Sequence, residues 1–308
     1  MSASKNIGRL EPVALLFAAG LCIGSIFPLG KLATALGVPP LAYVGVTALE
    51  ATLVLALASL VAGHSLRPDA KTVRYALVAG QLTFAIPWTA VVWVIPHLGS
   101  GLPAIVQSTA PIFTLILVYA LRMERPATSR LAGLALGLAG TLVILLSRPL
   151  GPVQQAPPYW YAAALIAPVV LAGGNVFRTI NWPAGQRPLP LAAWSLLAAA
   201  LGVGLAFAAL VGVGVMDWPR AAPGAAIIML CQGIATGLGY ALFFRLQQVG
   251  GPVFVSQLSY VNTAVGLGFA VVLFSERLTS WSWLALALII IGVLLVNQTI
   301  GGAAARGD

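Results

Sequence analysis

The chain has 308 residues, of which 60% are hydrophobic and 7% charged, and its mean hydropathy is +0.98. Soluble proteins carry about 25% charged residues, so there is too little polar surface here to cover a water-exposed globule, and too much aliphatic content for a disordered or collagen-like chain. The net charge of +9 comes from 16 basic residues scattered singly between apolar blocks, which excludes a nucleic-acid footprint and leaves the charge to report orientation in a membrane.

Those blocks are about twenty residues long, the length that crosses roughly 30 Å of hydrocarbon. They predict ten spans, at 11–33, 41–63, 71–95, 101–122, 128–148, 159–180, 190–213, 222–246, 251–274 and 280–300. Span one is followed by many others, so no cleavable signal peptide is expected. It carries Gly20 and Gly24, four apart, and Lys31 at its outer end. Span two holds Glu50, the only acidic residue well inside a span. A central charge costs roughly 2.5–3.5 kcal/mol on insertion scales. Glu50 therefore reads as a proton-coupling or amine-binding carboxylate, or as a carboxyl hydrogen-bonded to a neighbouring helix.

Gln81 and Trp88 in span three lie seven apart, on one helix face. Span four offers Gln107, Pro111 and Thr114, and Glu124-Arg125 closes it; span five carries Gly133 and Gly137. The proline- and glutamine-containing stretch from Arg148 to Pro158 reads as a linker between halves. Tyr159, Trp160 and Tyr161 open span six as interfacial anchors, and Arg178 sits near its inner end as a topological anchor. Gln232, Thr236 and Tyr240 follow at spacings of four in span eight, beside Gly233 and Gly237. Ser256, Tyr260 and Thr263 form a stripe in span nine, which Glu276-Arg277 closes; Trp281 and Trp283 open span ten. Pro87, Pro96, Pro103, Pro111 and Pro168 interrupt or flank spans, as hinges or static kinks. The glycine pairs at a spacing of four permit close helix contact. Cys22 and Cys231 lie far apart inside apolar blocks and read as small packing residues.

With the N-terminus in the cytoplasm, Lys5, Arg9, Arg67, Lys71, Arg74, Arg122, Arg125, Arg130, Arg178, Arg187, Arg245 and Arg306 fall inside. Only Lys31, Arg148, Arg220 and Arg277 fall outside, so both termini are expected to be cytoplasmic. A shift of 152 positions sets Gly99 on Gly251, Glu124-Arg125 on Glu276-Arg277, Leu134-Ala135-Leu136 on Leu286-Ala287-Leu288 and Gly140 on Gly292. A shift of 150 sets Gly24-Ser25-Ile26-Phe27 on Gly174-Asn175-Val176-Phe177. Five spans per copy is an odd number, so the second copy enters the membrane from the opposite side. The expected fold is therefore an all-α integral membrane protein of ten helices, in two inverted five-helix repeats, 1–150 and 151–308, around a central cavity. Inverted repeats accompany alternating access.

Ten helices in two copies, Gly24-Ser25-x-Phe27 with Lys31 late in span one, and the Glu-Arg pair closing spans four and nine resemble the drug/metabolite transporter superfamily, EamA type. Within it the chain is most similar to the bacterial YddG-type exporters of aromatic and other amino acids. The resemblance implies a helical basket around a substrate cavity, export from the cytoplasm and an inner-membrane location. One departure is that many members carry an arginine in span two, where this chain has Thr47 and Glu50.

The candidate substrate-binding residues are Gln81, Trp88, Gln107, Gln232, Tyr240, Ser256, Tyr260 and Thr263, with Glu50 for coupling. Amides, hydroxyls and rings suit a zwitterion with an apolar side chain; helix–helix hydrogen bonding would use the same residue types. The stripes lack Lys and Arg, which argues against a phosphorylated substrate. Asp69, Asp217 and Asp308 lie in loops or at the tail, no acidic pair shares a span, and no phosphate-binding loop is present. No catalytic residue, and hence no enzyme, is expected. His64 and His97 lack companions, so no metal site and no cofactor is expected. No ring of charges or carbonyls marks a channel. The expected partners are a small-molecule substrate, an amino acid, and membrane lipid, with no nucleic acid and no obligate protein partner.

Overall fold

Hydrocarbon offers a backbone no hydrogen bonds, so a chain this apolar must pair its N–H and C=O groups internally, and it does so as helices. The computed structural model describes residues 2–123, 128–147, 157–216 and 222–274, with scattered positions from 281 to 295, and no strand occurs among them. In order these are α1 (Ser2–Gly24), α2 (Ile26–Ala35), α3 (Pro40–Val61), α4 (Ala70–Gly80), a π-helical turn Gln81–Ala85 and α5 (Ile86–Leu98). There follow α6 (Gly101–Gln107), α7 (Ala110–Ala120), α8 (Thr128–Ser147), α9 (Pro158–Ala164), α10 (Ile166–Asn181), α11 (Pro188–Gly212), α12 (Ala225–Ser256) and α13 (Leu258–Phe274).

Six stretches are long and apolar enough to cross a membrane: Glu11–Ala35, Pro40–Val61, Ala70–Leu98, Tyr159–Asn181, Pro188–Gly212 and Ala225–Ser256. They match the first three expected spans and the sixth to eighth. The fourth is split into α6 and α7 around Ser108 and Thr109, and the fifth is α8. The ninth starts in the tail of α12 and continues as α13. The tenth lies largely outside the described residues, as do most of the linker and both Glu-Arg pairs.

α3 shows why these helices belong in lipid. Tyr43, Ala48 and Leu55 are fully buried on one face, whereas Leu49, Leu53 and Leu57 are 48%, 64% and 64% exposed on the other. A helix apolar on all sides suits hydrocarbon, not water. Between spans, polar chemistry returns. Asp69 caps α4 by accepting from the Thr72 N–H at 2.7 Å, and that bond holds its carboxyl below the ordinary value.

α3 packs on α11 and α12, α1 on α12 and α13, and α10 on α5, α7 and α12. Helices from the two halves of the chain therefore interleave. The glycine pairs mark the seams. A β-carbon at Gly20 would lie 2.3 Å from Val261, one at Gly233 2.3 Å from Glu50 Oε2, and one at Gly137 2.4 Å from the Tyr260 ring. Gly292 meets Gly133 in the same way, with 2.6 Å to its carbonyl oxygen. Both cysteines are free; Cys22 is half-buried, but Cys231 is exposed on the surface of α12, so it is not a packing residue.

The two glycines aligned by the shift of 152 share a backbone conformation. Gly99 ends α5 at φ 71°, ψ 175°, and Gly251 interrupts α12 at φ 70°, ψ 177°. Positive φ is inexpensive only for glycine, so each copy turns at the same place by the same means.

Candidate substrate cavity

Pro87 has no N–H to give the carbonyl of Thr83, four residues earlier. The helix relaxes there into the π turn Gln81–Ala85, a feature that recurs at functional sites. The Tyr240 hydroxyl, from α12, donates to the Thr83 carbonyl at 2.9 Å. The Trp88 indole N–H in turn donates to that hydroxyl at 2.8 Å. Trp88 and Tyr240 are 152 residues apart, the shift that relates Gly99 to Gly251. Residues in equivalent places of two copies touch where the copies meet.

Beside this contact lies a narrow cavity with about 20 Å³ of space, between α1, α5, α6, α10, α12 and α13, room for roughly one water molecule. Trp88, Gln107, Tyr240 and Ser256 line it, joined by Asn175 and Asn262. Ser256 donates to the Val253 carbonyl at 2.7 Å. Gln107 is 1% exposed, yet neither its amide nitrogen nor its amide oxygen has a partner, and Asn262 Oδ1 has none either. A larger hollow of about 420 Å³ has Ile86, Trp93 and Ile166 in its wall. Those side chains are themselves exposed on the lipid-facing surface, so size does not make it the transport site.

Four expected residues are elsewhere. Gln81 donates to the Ala198 carbonyl at 2.8 Å, against α11. Gln232 accepts from Ser25 at 3.1 Å and donates to Thr236 at 2.9 Å. The Tyr260 hydroxyl reaches the Leu134 carbonyl at 3.3 Å, and Thr263 reaches the Ala104 carbonyl at 2.7 Å. All four tie helices together instead of lining the cavity. Helical spacing shows that residues share a face but not which neighbour that face meets. Glu50 is also outside the cavity: it is half-buried at the α3–α12 seam, where Gly233 makes room for it, and its Oε2 has no partner.

Arg178 overturns one expectation. It is not an anchor at a membrane surface, being 0% exposed within the bundle. The described cavity lining holds no Lys or Arg, as expected, but this cation stands directly behind it. The guanidinium donates to Thr83 Oγ1, to Asn175 Oδ1 at 2.6 Å and to Gln247 Oε1 at 3.0 Å. It lies 4.5 Å over the Phe243 ring, and both Asn175 and Phe243 line the cavity. The signal in the sequence was Asn175 three residues before Arg178, which places both on one face of α10.

The fold is shared with a solved crystal structure that superposes with a TM-score of 0.71 at 20% identity, covering 94% of this chain and 97% of the other. In Escherichia coli (strain K12), the "Uncharacterized inner membrane transporter YedA" is 29% identical over 264 residues, 84% of this chain and 82% of that protein. A "Probable amino-acid metabolite efflux pump" of the same strain is 28% identical over 226 residues, 72% and 74% of the two chains. The EamA-like transporter family matches residues 11–146 and 158–298, one copy after the other. With its membrane-length helices and its buried polar cavity, the chain belongs to the EamA-like transporter family, and it is a membrane transporter, not an enzyme.

Proposed function

We propose that this transporter exports amino acids, aromatic ones among them, from the cytoplasm by alternating access. In this reading ten helices form two inverted repeats, 1–150 and 151–308, in an inner membrane with both termini cytoplasmic. Trp88, Gln107, Tyr240 and Ser256 contact the substrate. The carrying observation is the Gln107 amide, buried and unpartnered in a cavity walled by aromatic rings. Leaving a buried polar group unmatched costs about 1–3 kcal/mol, which a polar solute would offset by completing its hydrogen bonds. The rings supply the apolar counterpart for an amino-acid side chain.

The cavity's 20 Å³ also favours a carrier over a pore. An amino acid enters only after helices part, and the bundle has places to bend: Ser25 between α1 and α2, Ser108 between α6 and α7, Leu165 between α9 and α10, and Gln257 between α12 and α13. The name of the Escherichia coli efflux pump supports the substrate class by likeness alone. The matching turns at Gly99 and Gly251, and the Trp88–Tyr240 contact, support two related copies.

The test is purified protein in liposomes with a panel of labelled amino acids, with and without a pH gradient. Saturable transport and counterflow are expected, and transport of none of them would remove the substrate claim. In the proton-coupled form of the proposal Glu50 carries the proton. Glu50→Gln is then expected to abolish the gradient dependence; an unchanged response would remove Glu50 from coupling.

A further inference from the structure

A guanidinium presents five N–H donors in a rigid fork, and it matches a carboxylate with two parallel bonds. At Arg178 every acceptor is neutral: a threonine hydroxyl, an asparagine amide and a glutamine amide. The Nε–H has no partner at all. Among the described residues no carboxylate pairs with this side chain. A cation inside a membrane bundle calls for an anion or a wet site, and a charge kept on neutral acceptors is a receptor for one. Helix pinning alone would need no charge, since neutral amides make the same bonds without the desolvation cost.

The position supplies the second half of the argument. Asn175 and Phe243 each touch the guanidinium and each line the cavity. Arg178 therefore stands one side chain behind the cavity wall. Asn175 Oδ1 fills a place that a carboxylate oxygen would take, and rotation of that amide would free an N–H to act with the unpartnered Nε–H. Around the cavity itself there is no acidic side chain among the described residues. An ammonium group would find neutral acceptors instead: the free amide oxygens Gln107 Oε1 and Asn262 Oδ1, serine hydroxyls and ring faces.

From this asymmetry we infer that Arg178 is the carboxylate receptor of the transport site, and that the carboxylate, not the ammonium, is the obligatory part of the substrate. The inference rests on the cavity being the transport site. It widens the substrate class to apolar monocarboxylates without an amino group.

Three ligands separate the groups: phenylalanine, 3-phenylpropionate, which lacks the ammonium, and phenylalaninamide, which lacks the carboxylate. Their apparent Kd values are read from thermal stabilisation of the full chain in detergent. Both acids are expected to bind, the amide on the order of a hundredfold more weakly. R178Q is expected to erase that preference and R178K to keep part of it. Equal stabilisation by the amide, no stabilisation by either acid, or an undiminished preference in R178Q would each overturn the inference. If R178Q is not recovered folded, the three-ligand comparison on the unaltered protein decides. Phenylalanine counterflow in liposomes is measured in parallel. Counterflow with an equally good amide would leave export standing and sink the receptor; Arg178-dependent acid binding without counterflow would do the reverse.

Discussion

Trp88 and Tyr240 stand in equivalent places and touch, yet the segments that carry them are built in opposite ways. Ala70–Leu98 is irregular: the π turn Gln81–Ala85 and Pro87 interrupt its α-helical hydrogen-bond ladder and free the Thr83 carbonyl. α12 is regular from Ala225 until Gly251, and it brings a hydroxyl at the right height to close the gap. One copy supplies the defect and the other the group that satisfies it. Departure from helical symmetry, more than symmetry itself, builds the polar wall of the cavity. Thr83 serves both sides of this arrangement, its carbonyl bound by Tyr240 and its hydroxyl by Arg178.

The sharpest way to break the irregular segment is at Gly80. A β-carbon there would lie 2.1 Å from the Ser195 carbonyl oxygen of α11, against backbone that has no rotamer to change. Gly80→Ala is expected to cost about 3 kcal/mol, the upper part of the overpacking range, read as a loss of thermal stability in detergent. An unchanged melting temperature would mean that α4 and α11 are not pressed together as described.

Tyr240→Phe comes next. It strands the Thr83 carbonyl and the Trp88 indole N–H, at an expected cost of about 1–3 kcal/mol. Pro87→Ala gives Thr83 back an N–H donor, so Tyr240→Phe should cost less in that background. A double-mutant cycle with a coupling of about 0.5–3 kcal/mol is expected. Strict additivity would show that the proline and the tyrosine do not compensate each other.

The smallest effect belongs to Asp69, outside the membrane. Its carboxyl is held below the ordinary value by the hydrogen bond from Thr72. A depressed folded value means that the stabilisation is present above the unfolded pKa of about 3.9 and is lost as pH falls through the folded one. Asp69→Ala should therefore melt slightly below the parent at neutral pH and converge with it in acid. A gap that persists at low pH would point to packing instead of capping.

Much of this was legible residue by residue. The glycine pairs as seams follow from local spacing and small side chains. The helix defect before Pro87 was legible too, because a missing N–H is a property of one residue. The partner that answers it, 157 residues further along, was not. Polar stripes showed the same limit. Gln81, Gln232, Tyr260 and Thr263 carry the chemistry of Trp88, Gln107 and Tyr240, but they turn toward neighbouring helices. Arg178 was misplaced for a related reason: a cation near the end of an apolar block looks like an anchor until the helices around it are in place.

What the amino-acid sequence determined by itself was a helical chain made for lipid, twice repeated, because block length against bilayer thickness and the recurrence of glycine and proline are matters of chain order. Tertiary structure alone decided which polar groups face one another. That depends on the rotation and contact of helices far apart in the chain, which no local pattern encodes. The buried Arg178 guanidinium on the Thr83 hydroxyl, 95 residues away, is the clearest case.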